Sequence, residues 1–188
     1  VLSLSGGSKN LQIYSSLMYA DQKGIVIGDG RTDYSGRMNA KYKMMDGKVE
    51  MSFKAQYRQA NRDRRNGSSS FEHVISLNPT IPVMDPTNPK RYNTTVGIGG
   101  TTHNPVADIE LKDYQGIDKW LQADATLKIN IWDGLSVQGT MGIDHRDYQL
   151  TQYYRQNHQD MVESNKRGKA THTFNKTDNK TLEAYASY

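Results

Sequence analysis

The sequence contains no cysteine, no long apolar run and almost no helical periodicity. Without cysteine the chain has no disulfide framework, no thiolate metal site and no cysteine nucleophile. No stretch approaches the roughly 18 consecutive apolar residues that a membrane-spanning helix needs, and hydrophobic residues make up only 35% of the 188 positions. These absences exclude cysteine chemistry and a helical span, and they leave proteins built from strands.

The excess of positive over negative charge is also small, because the chain has 24 Lys and Arg and 20 Asp and Glu, a net charge of +4. The densest basic cluster is Arg58, Arg62, Arg64 and Arg65, in a stretch with few aromatic residues. We therefore expect a solvated loop face there and no nucleic-acid partner. The chain begins VLSLSGG, without an initiator Met or a signal sequence, so we expect either a removed signal peptide or an internal piece of a longer protein.

Strict alternation of apolar and polar residues is the strongest local pattern. In MMDGKVEMSFKAQYRQ, residues 44–59, Val49, Met51, Phe53, Ala55 and Tyr57 alternate with polar residues. A period of two predicts a β-strand with one apolar face. The same pattern predicts strands at 2–5, 11–20, 34–43, 119–131, 135–143, 169–175 and 182–188. The sequence thus predicts an all-β fold of about eight strands.

Short and long connections between these strands alternate. Four are short: Gly6 to Asn10, Asp46-Gly47, Asp133-Gly134 and Thr177 to Lys180. Three are long: about 21–33, 60–118 and 148–168. In an antiparallel up-and-down meander all the short turns then lie at one end, which is typical of outer-membrane barrels and not of soluble sandwiches. We therefore predict part of a large transmembrane β-barrel with long extracellular loops and its apolar face toward lipid.

Tyrosine is frequent, with 12 Tyr against 3 Phe. A tyrosine ring is apolar and its tip is polar, so tyrosine suits a boundary between dry and wet surroundings. Five tyrosines occupy the alternate strand positions that carry the apolar residues, which we call the apolar parity. Four of them lie at the long-loop ends of the predicted strands, Tyr19, Tyr34, Tyr57 and Tyr188, and Tyr42 lies at a short-turn end. This placement predicts a lipid-facing aromatic girdle.

The alternate positions that carry the polar residues predict a wet lumen, with side chains that can hydrogen-bond water or sugar hydroxyls. The candidate substrate contacts there are Arg37, Arg58, Trp120, Gln122 and Asp124. Trp120 has two interpretations: a lumen-facing surface on which a ligand stacks, or a girdle residue displaced by a bulge. The alternation alone leaves both open.

No constellation in the sequence predicts an enzyme. The five histidines show neither an HExxH motif nor a paired ligand spacing: His73, His103, His145, His158 and His172. We expect surface or loop histidines, and we predict no catalytic residue, metal ligand or cofactor.

Beyond the strand pattern, the sequence resembles the barrel region of SusC/RagA-type TonB-dependent outer-membrane transporters of Bacteroidetes. The stretches that carry the resemblance are SLSGGSKNLQIYSSLMYADQKGIVIG at 3–28, RMNAKYKMMDGKVEMSFKAQY at 37–57, FEHVISLNPTIPVMDP at 71–86 and NPVADI at 104–109. The resemblance implies a 22-stranded barrel with an N-terminal plug, which imports oligosaccharides or peptides using energy from TonB. It also implies a SusD-like surface lipoprotein as partner and outer-membrane lipid around the barrel.

The chain departs from a complete member of that family, because residues 1–188 include no plug domain and no TonB-contact segment. The resemblance therefore implies an internal portion of the barrel in the outer membrane. Two alternatives remain from the residues alone. One is a self-contained small outer-membrane barrel that acts as an adhesin or structural anchor, since eight strands suffice to close a barrel. The other is a soluble β-rich binding module.

Overall fold

The computed structural model describes residues 1–63, 73–93 and 103–188. Its strands and helices are β1 Leu2–Gly7, β2 Leu11–Lys23, β3 Gly30–Met44, β4 Val49–Asp63, β5 Met84–Asp85, β6 Asn88–Tyr92, α1 Pro105–Glu110, β7 Lys112–Trp132, β8 Leu135–Tyr154, α2 Gln159–Glu163 and β9 Lys169–Ser187. Residues 73–76 are also helical. Of the predicted basic cluster, Arg64 and Arg65 lie outside the described residues. Within the described ranges no helix is long and apolar enough to cross a membrane.

Seven strands form one antiparallel sheet in the order β1-β2-β3-β4-β7-β8-β9. The order follows the chain, so each strand pairs with its neighbour in sequence apart from the excursion between β4 and β7. That excursion carries a small hairpin, β5 with β6. The predicted all-β antiparallel meander is therefore confirmed.

The short connections all lie at one end of the sheet. The Trp132 and Leu135 pair closes a two-residue turn, in which Gly134 has a φ of +96° that favours glycine. The Asp46-Gly47 connection is longer than predicted, because Met44 pairs with Val49 and leaves four residues between the strands. The strand ends that flank the three long connections lie at the opposite end, as the sequence predicts: Lys23 and Gly30, Asp63 and Lys112, and Tyr154 and Lys169. The strands extend further than predicted, so the connections between them are shorter.

The predicted short turn from Thr177 to Lys180 is wrong. The structure has one strand there, and Thr177, Asp178 and Lys180 pair with β8 without a register shift. The NKTDNK stretch has turn-forming residues, but pairing along all of β8 supplies backbone hydrogen bonds that a turn would forfeit. The sheet consequently has one strand fewer than predicted.

The register brings the apolar parity of every strand to the same side, because directly paired residues of antiparallel strands share a face. We call this side the apolar face. One row across its middle consists of Ile13, Ala40, Phe53, Ala125, Met141 and Leu182. These side chains are uncovered within the described chain: Phe53 is 43% exposed and Met141 60%.

The apolar face has a sharp upper limit toward the long loops. On β4 and β7 the row of Tyr57 and Leu121 is the last apolar one, and in that row β8 and β9 already carry His145 and Asp178. Two residues further along, the same face carries Tyr19 and Tyr34 on β2 and β3, but Gln59, Lys119 and Asp147 on β4, β7 and β8. The apolar residues therefore form a band, from the Val49 row to the Tyr57 row, and not a face of unlimited length.

Buried apolar residues are few. In the part of the chain that the structure describes they are Ala60, Ala107, Leu111 and Met161, and the last three lie in or beside the helices near the long loops. The accessible surface is 13201 Å², whereas a folded soluble monomer of this mass exposes about 9,100 Å². The sheet thus has no core of its own comparable to that of a soluble domain.

Candidate functional site

Trp120 lies on the polar face, opposite the apolar band. It pairs directly with Arg58 on β4 and with Arg146 on β8. The register of β7 is unbroken around it, and its irregularity lies between Asn130 and Trp132. A bulge that would turn Trp120 to the other face is therefore absent from the described strand, and of its two interpretations the girdle one is wrong.

The indole of Trp120 is oriented by a carboxylate. Its Nε1 donates a hydrogen bond of 2.9 Å to Oδ2 of Asp144, which lies one row nearer the short turns on β8. A buried or half-buried indole N–H usually needs such a partner. The bond holds the indole on the polar face, in the row that also carries the two arginines.

Both arginines are held by acidic residues. Arg146 makes a two-point contact with Asp118, from Nε to Oδ1 at 3.0 Å and from the guanidinium to Oδ2 at 2.7 Å. Arg58 donates to Oδ1 of Asp33 at 3.0 Å, and Asp33 is 4% exposed. The Arg146–Asp118 contact is exposed, and an exposed ion pair adds only about 0–1 kcal/mol to stability. The main effect of both contacts is to hold the guanidinium groups in place.

These side chains line a concavity of about 470 Å³, a volume within the range of small-ligand sites. Its lining residues are Arg58, Ala60, Asp118, Trp120, Asp144, Arg146, Thr177 and Asn179. The side chains offer hydrogen-bond donors, acceptors and one aromatic surface. A second concavity, of about 580 Å³ between Phe53 and Met141, lies on the apolar face and offers few polar partners.

The other predicted contacts share the polar face with Trp120. Gln122 is in the next row, together with Arg37, whose guanidinium donates to Gln56 Oε1 at 3.1 Å. Asp124 is one row further, opposite Gly142. A Cβ at Gly142 would approach Asp124 Oδ1 to 2.7 Å, so glycine makes room for that carboxylate. The structure thus places all five predicted contact residues in three successive rows.

Four of the five predicted girdle tyrosines lie on the apolar face at the predicted ends. Tyr19 and Tyr34 are directly paired, with ring centroids 5.4 Å apart, and Tyr57 lies in the row below them. Tyr42 lies toward the short turns. Tyr188 is a correction: because β9 continues through residues 177–180, it falls at the short-turn end, and its ring lies 3.9 Å from a Cβ built on Gly134.

A second polar cluster, at the long-loop end, was not apparent from the sequence. The Asp108 carboxylate, on α1 and 7% exposed, accepts from His73 Nδ1 at 2.8 Å and lies 3.1 Å from His158 Nε2. His103 stacks on His73, with centroids 4.5 Å apart and planes 12° apart. The spacings in sequence, from 5 to 85 residues, follow no motif, which is why the pattern of the histidines alone did not reveal the cluster.

Asn104 anchors the helix that carries Asp108. Its Oδ1 caps α1 by accepting from the backbone N–H groups of Val106 and Ala107, and its Nδ2 donates to the carbonyl oxygens of Val83 and Asn93. One buried side chain thereby ties the β5–β6 hairpin to α1, and Asp108 is positioned by this connection.

The charges near α1 shift two pKa values. Burial alone would raise the pKa of Asp108, but hydrogen bonds from His158 and His73 outweigh it and lower the pKa below its ordinary value. Burial, together with a hydrogen bond to Glu110, raises the pKa of Tyr92 to about 12. At neutral pH Asp108 is therefore an anion and the Tyr92 hydroxyl keeps its proton.

Comparison with known proteins gives one informative likeness. No family model matches the chain. TonB-dependent receptor P26 of Formosa agariphila is 27% identical over 135 residues, which cover 64% of this chain and 13% of that receptor. The chain therefore spans about an eighth of the length of the curated relative it matches. This likeness points toward TonB-dependent receptors in general and does not reach the SusC/RagA type.

Proposed function

We propose that this chain is part of the barrel wall of a TonB-dependent importer of the SusC/RagA type in the outer membrane. The observation that carries the proposal is the apolar band: its rows through Met51 and Phe53 run from β2 to β9, and it is exposed, backed by a polar face and bordered by tyrosines toward the long loops. The partial likeness to a TonB-dependent receptor supports it. On this proposal the band faces lipid and the polar face lines the lumen.

The dimensions of the band fit a bilayer. From Val49 to Tyr57 the strand advances eight residues, about 26 Å at about 3.3 Å per residue. Strands of outer-membrane barrels tilt by about 35–45°, which reduces that length to about 20 Å across the membrane, near their apolar height of about 25 Å.

The same features argue against the two alternatives. A soluble module would have to cover its apolar band, but no described element lies over it, and the exposed surface exceeds that of a soluble monomer of this mass by more than 4,000 Å². A self-contained small barrel would pair its first and last strands. Among the described residues β1 and β9 are instead the two edges of the sheet.

For the imported substrate we propose a glycan that contacts the concavity around Trp120. The C–H face of a sugar ring packs on the electron-rich face of an indole, and hydroxyl groups match the mixed donors and acceptors around it. Arg58 and Arg146 balance Asp118 and Asp144, so the lining carries no net charge. This balance favours a neutral glycan over a charged peptide.

The proposal includes the partners of such an importer. TonB would act through a plug domain that is not among residues 1–188, and a SusD-like lipoprotein would cover the surface end, where the long loops lie. Neither partner is assigned to particular residues here.

Uptake of labelled oligosaccharides by cells that express the complete protein tests the substrate proposal. Trp120→Ala should reduce uptake about tenfold, equivalent to about 1.4 kcal/mol of lost binding, while Trp120→Phe should retain part of it. Trp132→Ala is the matched control, since Trp132 lies at the short turn. Unchanged glycan uptake by Trp120→Ala at normal outer-membrane abundance would contradict the proposal, and a selective loss of peptide uptake would reassign the substrate.

A further inference from the structure

We propose that His73, His103 and Asp108 form a binding site for a divalent transition-metal ion, with Zn²⁺ as the ion best suited to the ligands. The site lies at the long-loop end, away from the concavity around Trp120. It rests on the geometry of the loops and is independent of the proposed transport function.

The distances between the candidate ligand atoms are near those around a small ion. One donor atom from each of the three residues lies within 4.8 Å of the other two. The Nδ1 atoms of His73 and His103 are 2.8 Å and 3.8 Å from the Asp108 carboxylate. Zn²⁺ holds nitrogen and oxygen ligands at about 2.0–2.1 Å in a tetrahedron, which separates the ligand atoms by about 3.3 Å. The first of the two observed distances is to Oδ2 and the second to Oδ1, so the three donors must draw closer together by side-chain rotation when the ion binds.

The ligand types select the ion. Two imidazoles and one carboxylate suit Zn²⁺ and the neighbouring transition metals, whereas Ca²⁺ and Mg²⁺ prefer oxygen ligands throughout. Three protein ligands with water as the fourth is a common arrangement for zinc. Two of the three side chains, those of His73 and Asp108, are largely shielded from solvent, which reduces competition from water.

His158 orients the carboxylate from the other side. Its Nδ1 accepts a hydrogen bond from the backbone N–H of Asp160 at 3.3 Å, so the ring proton that faces Asp108 is on Nε2. That proton points to Asp108 Oδ1 at 3.1 Å, and the ring is 2% exposed. This is the pattern in which a hydrogen bond behind a metal ligand fixes its direction, and it makes His158 a positioning residue.

The ion would join separate parts of the long loops. His73 precedes the β5–β6 hairpin, and His103 and Asp108 follow it, while His158 belongs to the connection between β8 and β9. A bound ion would therefore close the 73–108 segment on itself and strengthen its contact with the next loop. The expected result is a metal-dependent rigid arrangement at this end of the sheet.

Metal titration of the complete protein, purified in detergent and stripped with a chelator, tests the proposal. Isothermal titration with ZnCl₂ should show a saturable site, and Co²⁺ in its place should give the visible absorption of a tetrahedral ion. His73→Ala and His103→Gln should each weaken Zn²⁺ binding at least tenfold, and His158→Ala should weaken it about 10- to 100-fold.

His172→Ala is the matched control, because His172 is an exposed strand histidine that contacts Thr151; its affinity should equal that of the wild type. Heat-modifiable mobility on gels verifies that each variant is folded. If His73→Ala fails to fold, His103→Gln and the Co²⁺ spectrum decide. No saturable Zn²⁺ site in the wild type, an octahedral Co²⁺ spectrum, or wild-type affinity in His103→Gln would each overturn the proposal.

Discussion

Replacing Phe53 with arginine is the most direct test of the proposal that the apolar band meets lipid. Phe53 lies in the middle row of the apolar band, four residues from Val49 and four from Tyr57. It is 43% exposed, so an arginine has space and the substitution does not disrupt a packed core. Its neighbour Ser52 points to the polar face and provides the matched control.

The expected cost follows from the depth of the position. Arginine on the lipid face of a barrel costs about 2–4 kcal/mol at the bilayer midplane, which lowers the folded-to-unfolded ratio roughly 30- to 700-fold. On a water-exposed sheet the same substitution would change the free energy of unfolding by only about 0.5 kcal/mol. Ser52→Arg should stay near that smaller value in a wet lumen.

The assay is denaturant unfolding of the complete protein in phospholipid vesicles, followed by heat-modifiable gel mobility. Phe53→Arg should shift the midpoint strongly and Ser52→Arg little. Equal midpoints for the two variants would refute the assignment of the apolar band to lipid. A larger loss for Ser52→Arg would reverse the two faces.

Three further outcomes are expected. Cysteines introduced at Gln122 and Ala123, in a background without other cysteines, should differ in their reaction with a water-soluble maleimide. The polar-face Gln122→Cys should be modified and Ala123→Cys should be protected; equal modification would contradict opposite environments for the two faces. The Tyr92 hydroxyl should titrate near pH 12 in ultraviolet difference spectra against Tyr92→Phe, and titration near pH 10 would argue against its contact with α1. Because the pKa of Tyr92 is raised in the folded protein, the stability that the contact contributes is present below about pH 10 and is lost as the pH rises through 12. Gly134→Ala should destabilise the protein by about 1–2 kcal/mol because of its positive φ, whereas Gly139→Ala, which meets no atom closer than 3.9 Å, should be tolerated in the same unfolding assay.

The sequence alone predicted most of the sheet because its signal is local. Alternation along β3, β4 and β7, with Asp133-Gly134 as a turn, specifies strands, their faces and their antiparallel order. It failed at 177–180, where turn-forming residues continue a strand. There the competing influence is the full pairing with β8, which no local pattern of β9 reveals.

On the polar face, too, the sequence predicted the side on which Trp120 lies but not the residues around it. Parity placed Trp120 among polar residues but left a bulge open. Only the register sets it between Arg58 and Arg146 and gives its indole the Asp144 carboxylate, because pairing between distant strands decides which side chains become neighbours.

The sequence by itself thus determined the period of the strands, the existence of an apolar side and the alternation of short and long connections. The tertiary structure decided where the apolar band ends, how the two arginines are held, and that His73, His103 and His158 meet at Asp108. The physical reason is range: side-chain alternation is encoded between adjacent residues, whereas a site assembled across 85 residues depends on how the chain returns to itself.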